Sequence, residues 1–205
     1  MVAQSTTPAR GRPRLSSREM LEDAAFELFL EQGYAKTTIE QITQRAGVSR
    51  NTFFNYFPAK SDVFWVALDE VGARLRRELS AVPDDAPVMA GTRTAFLTVA
   101  DGFGPGAVPW ILTQYEAIGG NNEVQVSAVS RFVALASVVR FHLASRLDLP
   151  STHPEVLAAA YALTAATIAA AQAWAAAGVT RGALTPYLDR ALAPVCDGFE
   201  RAFVL

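Results

Sequence analysis

Between Thr37 and Pro58 the chain reads TTIEQITQRAGVSRNTFFNYFP, which leaves room for two helices of about two turns each and almost nothing between them. Thr37 and Glu40 stand at capping-box spacing, Ile39, Ile42 and Ala46 share one helical face, and Gly47 stops the run. Ser49 is placed to cap a second helix, rich in aromatics, which Pro58 closes. Two helices joined by Ala46-Gly47-Val48 describe a helix-turn-helix, whose second helix is the one that enters a DNA major groove. Such a pair cannot bury its apolar faces alone. The preceding segment supplies the third wall: Ser16 and Glu19 form a second capping-box pattern, Leu15 and Met20 a hydrophobic staple, and Leu21, Ala24, Ala25, Leu28 and Phe29 one stripe ending at Gly33.

Helical periodicity continues to the C-terminus. The spacing predicts a helix from Ser61 to Leu79 with Val63, Phe64, Ala67, Leu68 and Val71 inward, and further helices near 88–101, 109–118, 122–147, 154–177 and 186–203. Two Pro- and Gly-rich stretches, at 82–87 and 102–109, interrupt them. Period-2 alternation never persists, so the expected fold is all-α: a flexible basic arm at 1–14, a three-helix helix-turn-helix domain at 15–60, and a helical effector-binding and dimerisation domain at 61–205, with the Ser61–Leu79 helix as the lever between them. From Val156 to Thr180 there are 25 residues without a charge, long enough for a bilayer. Thirteen of them are Ala and three are Thr or Gln before the final Thr180, so insertion would be weakly driven; a helix buried on all sides is the expectation.

The formal charge of −2 hides an asymmetry. Residues 1–60 carry 8 Lys and Arg against 6 Asp and Glu (+2), whereas residues 61–205 carry 10 against 14 (−4). A local basic excess fits a nucleic-acid face on an acidic body, and a solvated tail carries the same signature. One cysteine, Cys196, permits no internal disulfide, and no secretory apolar run follows the N-terminal arginines, so a cytoplasmic location is expected.

The run Thr37-Thr38-Ile39…Ile42…Ala46-Gly47-Val48-Ser49-Arg50…Thr52-Phe53-Phe54-Asn55-Tyr56-Phe57-Pro58…Lys60 resembles the N-terminal signature of TetR-family regulators. The resemblance covers about residues 14–65; beyond it the chain matches that family only in length and helicity. It implies a homodimeric repressor that binds a palindromic double-stranded operator and is released by a small molecule. On a helix headed by Ser49, the side chains of Arg50, Asn51, Thr52 and Asn55 project outward, and these are residue types that read guanine, adenine and thymine edges. Thr37, Thr38, Tyr56 and Lys60 are the expected phosphate contacts, the lysine by analogy with the family's at that position. Phe54 and Ala59 depart from the pattern, standing where Tyr and a capping Ser are common. Arg10, Arg12 and Arg14 suit a minor-groove arm, or a solubilising tail.

Catalysis is not expected. His142 and His153 have no partner residues at catalytic or metal spacing, and no HExxH, GxSxG or P-loop occurs, so neither cofactor nor metal is anticipated. A helical architectural or adaptor protein without an effector is the alternative class. Leu188, Leu192, Val195 and Phe199 form a stripe at helical spacing, expected to face a second subunit or else the chain's own core, and Pro194 should bend their helix. Trp65, Phe96, Phe103, Trp110, Gln114, Tyr115, Phe132, His142 and Trp174 combine aromatics with isolated polar groups, as an effector pocket or an ordinary core would. The effector expected is small and hydrophobic, because Arg131 and Arg140 are the only cations near these residues.

Overall fold

The computed structural model describes residues 16–118 and 120–203, and the chain divides between Val63 and Phe64 into two compact units. Arg10, Arg12, Arg14 and Leu15 lie outside the described residues.

In the N-terminal unit, α1 (Ser17–Gln32) opens on the Ser16–Glu19 capping box: the Glu19 amide donates to Ser16 Oγ and the Ser16 amide to Glu19 Oε2, 3.3 and 2.7 Å. α2 (Ile39–Ala46) and α3 (Arg50–Tyr56) follow, and all three helices pack on one another. Their core is Leu21, Ala25, Ile42, Phe53 and Phe57, each at most 2% exposed. The capping box of α2 is one residue later than the sequence suggests. Thr38, not Thr37, receives the Gln41 amide at 3.2 Å while Gln41 Oε1 accepts from the Thr38 amide at 2.9 Å.

A 3-10 turn (Lys60–Trp65) carries the chain across the division, and the C-terminal unit continues as α4 (Val66–Ser80), α5 (Val88–Ala100), α6 (Trp110–Ile118), α7 (Asn122–Leu147), α8 (Pro154–Ala176) and α9 (Thr185–Phe203). The 3-10 start shifts the face of α4 that packs inward. Leu75 and Leu79 are buried, whereas Ala67, expected inside, is exposed and Leu68 and Val71 are half-buried. α9 runs unbroken through Pro194 and packs antiparallel on α5: Glu200 Oε2 accepts the Met89 and Ala90 amides at the head of α5, and Asp101 accepts from the Thr185 hydroxyl at its end. The carboxylate supplies two of the orphan amides of α5 with an acceptor, where Pro87 offers no capping side chain.

The structure bears on two expectations here. Leu188 and Leu192 point into the subunit's own core with Leu163, Val156 and Met89, so half of the stripe assigned to a partner is internal; Val195 and Phe199 are partly buried against the same core. α9 must cover both α5 and α8, which uses its broadest apolar face. The Ala-rich α8 is buried on one side only: Ala159, Leu163, Thr164 and Trp174 are inside, while Tyr161, Ala165, Ile168, Ala169, Gln172 and Ala173 are exposed. α7 and α8 are both long and apolar enough to cross a membrane, but they pack on each other within this unit.

Replacing Leu192 with Asp would place an unpaired carboxylate at a site with no exposure. A loss of about 3–5 kcal/mol is expected, read as a lowered urea midpoint followed by circular dichroism. An unchanged midpoint accompanied by a halved particle mass would return Leu192 to the subunit interface.

Candidate functional site

Gly47 directs the candidate DNA-reading helix. With φ 68° and ψ 29° it occupies the left-handed region, its amide donates to Gln44 O and the Val48 amide to Thr43 O at 3.0 Å, the paired bonds of a Schellman turn. Ser49 then caps α3 by accepting the Thr52 amide at 3.1 Å, with its hydroxyl 2.9 Å from that of Thr52. Phe53 and Phe57 anchor one side of α3 inside the unit, their rings 5.4 Å apart. The other side leaves Arg50, Asn51, Asn55 and Tyr56 exposed and Thr52 half-exposed.

Arg50 is not idle in this state. Its guanidinium pairs with Glu40 of α2 and lies 5.5 Å over the exposed Phe54 ring, so α2 and α3 together hold it extended. The Glu40 carboxyl is lowered from its usual pKa, chiefly by a hydrogen bond from its own backbone amide and less by the Arg50 charge. Arg45 clamps α2 to α1, bridging Glu27 and Glu31 at 3.0 and 2.8 Å.

Two of the expected phosphate contacts are engaged elsewhere. Thr37 is 1% exposed, with its hydroxyl 2.9 Å from Gly33 O and 3.3 Å from Leu28 O, so it ties the end of α1 to the start of α2. Lys60 Nζ donates to Tyr34 O and Thr37 O at 2.8 and 2.7 Å and sits 4.0 Å over the Tyr34 ring. Both close the 33–38 connection from inside the unit. Thr38, exposed, and the Tyr56 phenol remain on the surface.

The nine residues expected at an effector pocket have different surroundings. Phe96 and Trp174 are core, the latter donating its indole N–H to Gly182 O at 2.9 Å. Phe132 stacks on Tyr161, Trp110 on Phe64, and Trp65 lies under the Arg131 guanidinium, which forks onto Asp69 at 2.9 and 3.0 Å. Phe103 and Gln114 are half-buried, and Tyr115 is exposed. Two grooves are distinct in this unit, one of about 530 Å³ between α8 and α9 and one of about 480 Å³ between α4 and α7, and of the nine only His142 lines either. Burial, and then the Arg146 charge, hold the His142 pKa down to about 4, so the imidazole is neutral at pH 7. Arg76 and Arg146, which line the same groove, were missed in the sequence, since helical spacing places Arg146 beside His142 but only the fold brings α4 to both.

A short helix fixed by a left-handed turn, with one face in a core and the other presenting Arg, Asn and Thr, defines a helix-turn-helix transcriptional regulator. The model of bacterial regulatory proteins of the TetR family matches residues 21–65, and that of the MftR C-terminal domain matches residues 86–200. The chain belongs to the TetR family. It is 32% identical over 90 residues to the regulator TcmR of Streptomyces glaucescens, a match spanning 44% of this chain and 40% of that protein. It is also 32% identical over 75 residues to the repressor DhaR of Mycobacterium sp. strain GP1, spanning 37% and 38% of the two. Both matches therefore cover well under half of the relative's length. Among solved structures, Thermus thermophilus FadR, a TetR-family repressor in complex with lauroyl-CoA, superposes with a TM-score of 0.59 at 25% identity, covering 88% of this chain and 94% of that one.

The geometry separates structural from reading residues. Thr37→Val removes a buried hydroxyl and leaves its backbone acceptors unmatched, so about 1–3 kcal/mol of stability should be lost from the N-terminal unit. Arg50→Ala and Asn55→Ala, both exposed, should leave the melting curve within about 0.5 kcal/mol of the parent. Differential scanning calorimetry of the three variants checks the contrast, and equal losses in all three would contradict it.

Proposed function

We propose that this chain is a dimeric, cytoplasmic repressor that binds a palindromic operator through two copies of α3 and is released by a small, largely apolar effector. The observation that carries the reading is the outward face of α3. Arg50, Asn51, Thr52 and Asn55 occupy the accessible side of a helix whose opposite side is locked by Phe53 and Phe57. Arg50 would leave Glu40 for a base edge on binding, while Thr38 and Tyr56 would meet phosphate oxygens.

A second copy accounts for the exposed side of α8. Ala165, Ile168, Ala169, Gln172 and Ala173 carry no charge, and Pro186, Tyr187 and Ala191 of α9 continue that surface around the 530 Å³ groove. Pairing these helices with their two-fold mates gives a four-helix interface and buries what an isolated subunit leaves wet. That FadR relative's ligand, lauroyl-CoA, has a long apolar chain, which supports an effector with apolar character.

Light scattering should return twice 22.0 kDa at micromolar concentration. Gel retardation against selected duplexes should recover a palindrome with half-sites about one DNA turn apart. For that duplex, Arg50→Ala and Asn55→Ala should each lower affinity roughly fivefold or more, at about 1–3 kcal/mol per bidentate contact, without altering particle mass. Sequence-independent binding with a steep salt slope would favour an architectural protein instead.

A further inference from the structure

Two residues that line the groove between α4 and α7, Arg146 and His142, each bury a polar nitrogen without a hydrogen-bond partner among the described residues. Arg146 Nη2 donates to Asp84 O and Ala86 O at 3.1 and 2.8 Å, which fixes the guanidinium against the connection between α4 and α5. Its other terminal nitrogen, Nη1, is buried with no hydrogen-bond partner among the described residues, and so is Nε2 of His142, one helical turn earlier on the same face of α7. An unpaired buried donor costs about 1–3 kcal/mol, more when it belongs to a charged group, and folded proteins carry few of them. Arg146 Nη1 is an obligate donor and calls for an acceptor, and the His142 nitrogen four residues earlier is a second polar group beside it.

Charge narrows the acceptor. The groove is lined by two guanidiniums, Arg76 and Arg146, and one carboxylate, Asp84, while the His142 imidazole is neutral. One positive charge is left unbalanced, which suits a monoanion and disfavours a phosphate dianion. Leu79, Val138 and Phe141 supply apolar wall. Phe141 is 57% exposed and rests one face on the Arg140 guanidinium at 4.7 Å, so it presents an apolar ring at the mouth of the groove.

We propose that this groove binds an amphipathic carboxylate, its oxygens accepting from Arg146 Nη1 and meeting His142 Nε2, its apolar chain lying along Leu79, Val138 and Phe141. The site refines the effector expected from sequence: the ligand carries one negative charge, and Arg146, which lines the groove, receives it, whereas Arg131 is forked onto Asp69 and Arg140 does not line the groove. A role in operator release rests on the repressor reading above; the binding itself does not.

Isothermal titration of the full chain without DNA, using octanoate, octanol and octyl phosphate, tests the site directly. Octanoate should bind saturably and at least tenfold more tightly than octanol, with octyl phosphate weaker than octanoate. Arg146→Gln should cut octanoate affinity tenfold or more and leave octanol unchanged. Because Arg146 also braces the 81–87 connection, Val138→Trp provides a second variant that fills the groove and keeps the brace; it should abolish octanoate binding, and it decides alone if Arg146→Gln melts early. Equal affinity for octanoate and octanol, tighter binding of octyl phosphate, or octanoate binding untouched by a folded variant would each overturn the proposal. Gel retardation with octanoate separates the two readings: binding that leaves operator affinity unchanged upholds the groove and sinks its part in release.

Discussion

Gly47 holds a backbone conformation that costs most side chains about 1–2 kcal/mol, and everything the N-terminal unit presents to a ligand follows from the direction this turn gives to α3. The Schellman bonds end α2 and aim the chain so that Ser49 can start a new helix within two residues. Phe53 and Phe57 then fall into the core shared with α1, and by helical geometry Asn51 and Asn55 cannot follow them, while Arg50 at the head of α3 turns outward to Glu40. The outward face of α3 is thus largely a consequence of where two phenylalanines must go. Thr37 and Lys60 serve the same end from below, closing the α1–α2 connection with bonds to backbone oxygens at Gly33, Tyr34 and Thr37.

The C-terminal unit solves a different problem. Its helices are long, and two of them carry apolar surface on more than one side, so the subunit core decides which side each one buries. α9 turns Leu188, Leu192 and Cys196 inward because it must cover α5 and α8 at once, and Glu200 locks its register by supplying acceptors for the first amides of α5. Burial raises the Cys196 thiol pKa to about 11, which keeps it a packing residue at neutral pH. What remains outside is the Ala-rich side of α8, where small side chains allow close approach of another helix. From Val156 to its end this helix carries no charge, and it is covered on one side only.

Polar groups in this unit fall into two kinds. Arg93 with Asp189 and Arg131 with Asp69 are satisfied pairs across helices, and they brace the packing. Arg146 and His142, which line a groove, keep nitrogens without a partner among the described residues, and such groups are few in folded proteins. The contrast moves attention from the aromatic clusters to the α4–α7 groove, since Phe132 with Tyr161 and Phe64 with Trp110 already satisfy one another by stacking.

Local signals carried far. Capping residues, Gly47 and apolar periodicity act over four or five residues, so the sequence by itself determined the helix-turn-helix, the bounds of α5 to α9 within a residue or so, and the family. It could not tell Thr37 from Thr38 as the cap of α2, because both hydroxyls are one step from the helix and only the fold buries one of them. Nor could it say which apolar stripe faces the subunit's own core, since Leu188 and Leu192 look alike whether they meet α5 and α8 or a second subunit. The tertiary structure alone decided the fate of Lys60, drawn 26 and 23 residues back to Tyr34 and Thr37, and the pairing of Asp84 with Arg146 across 62 residues. Those contacts depend on how helices distant in sequence are brought side by side, and periodicity along one helix carries no record of its neighbours.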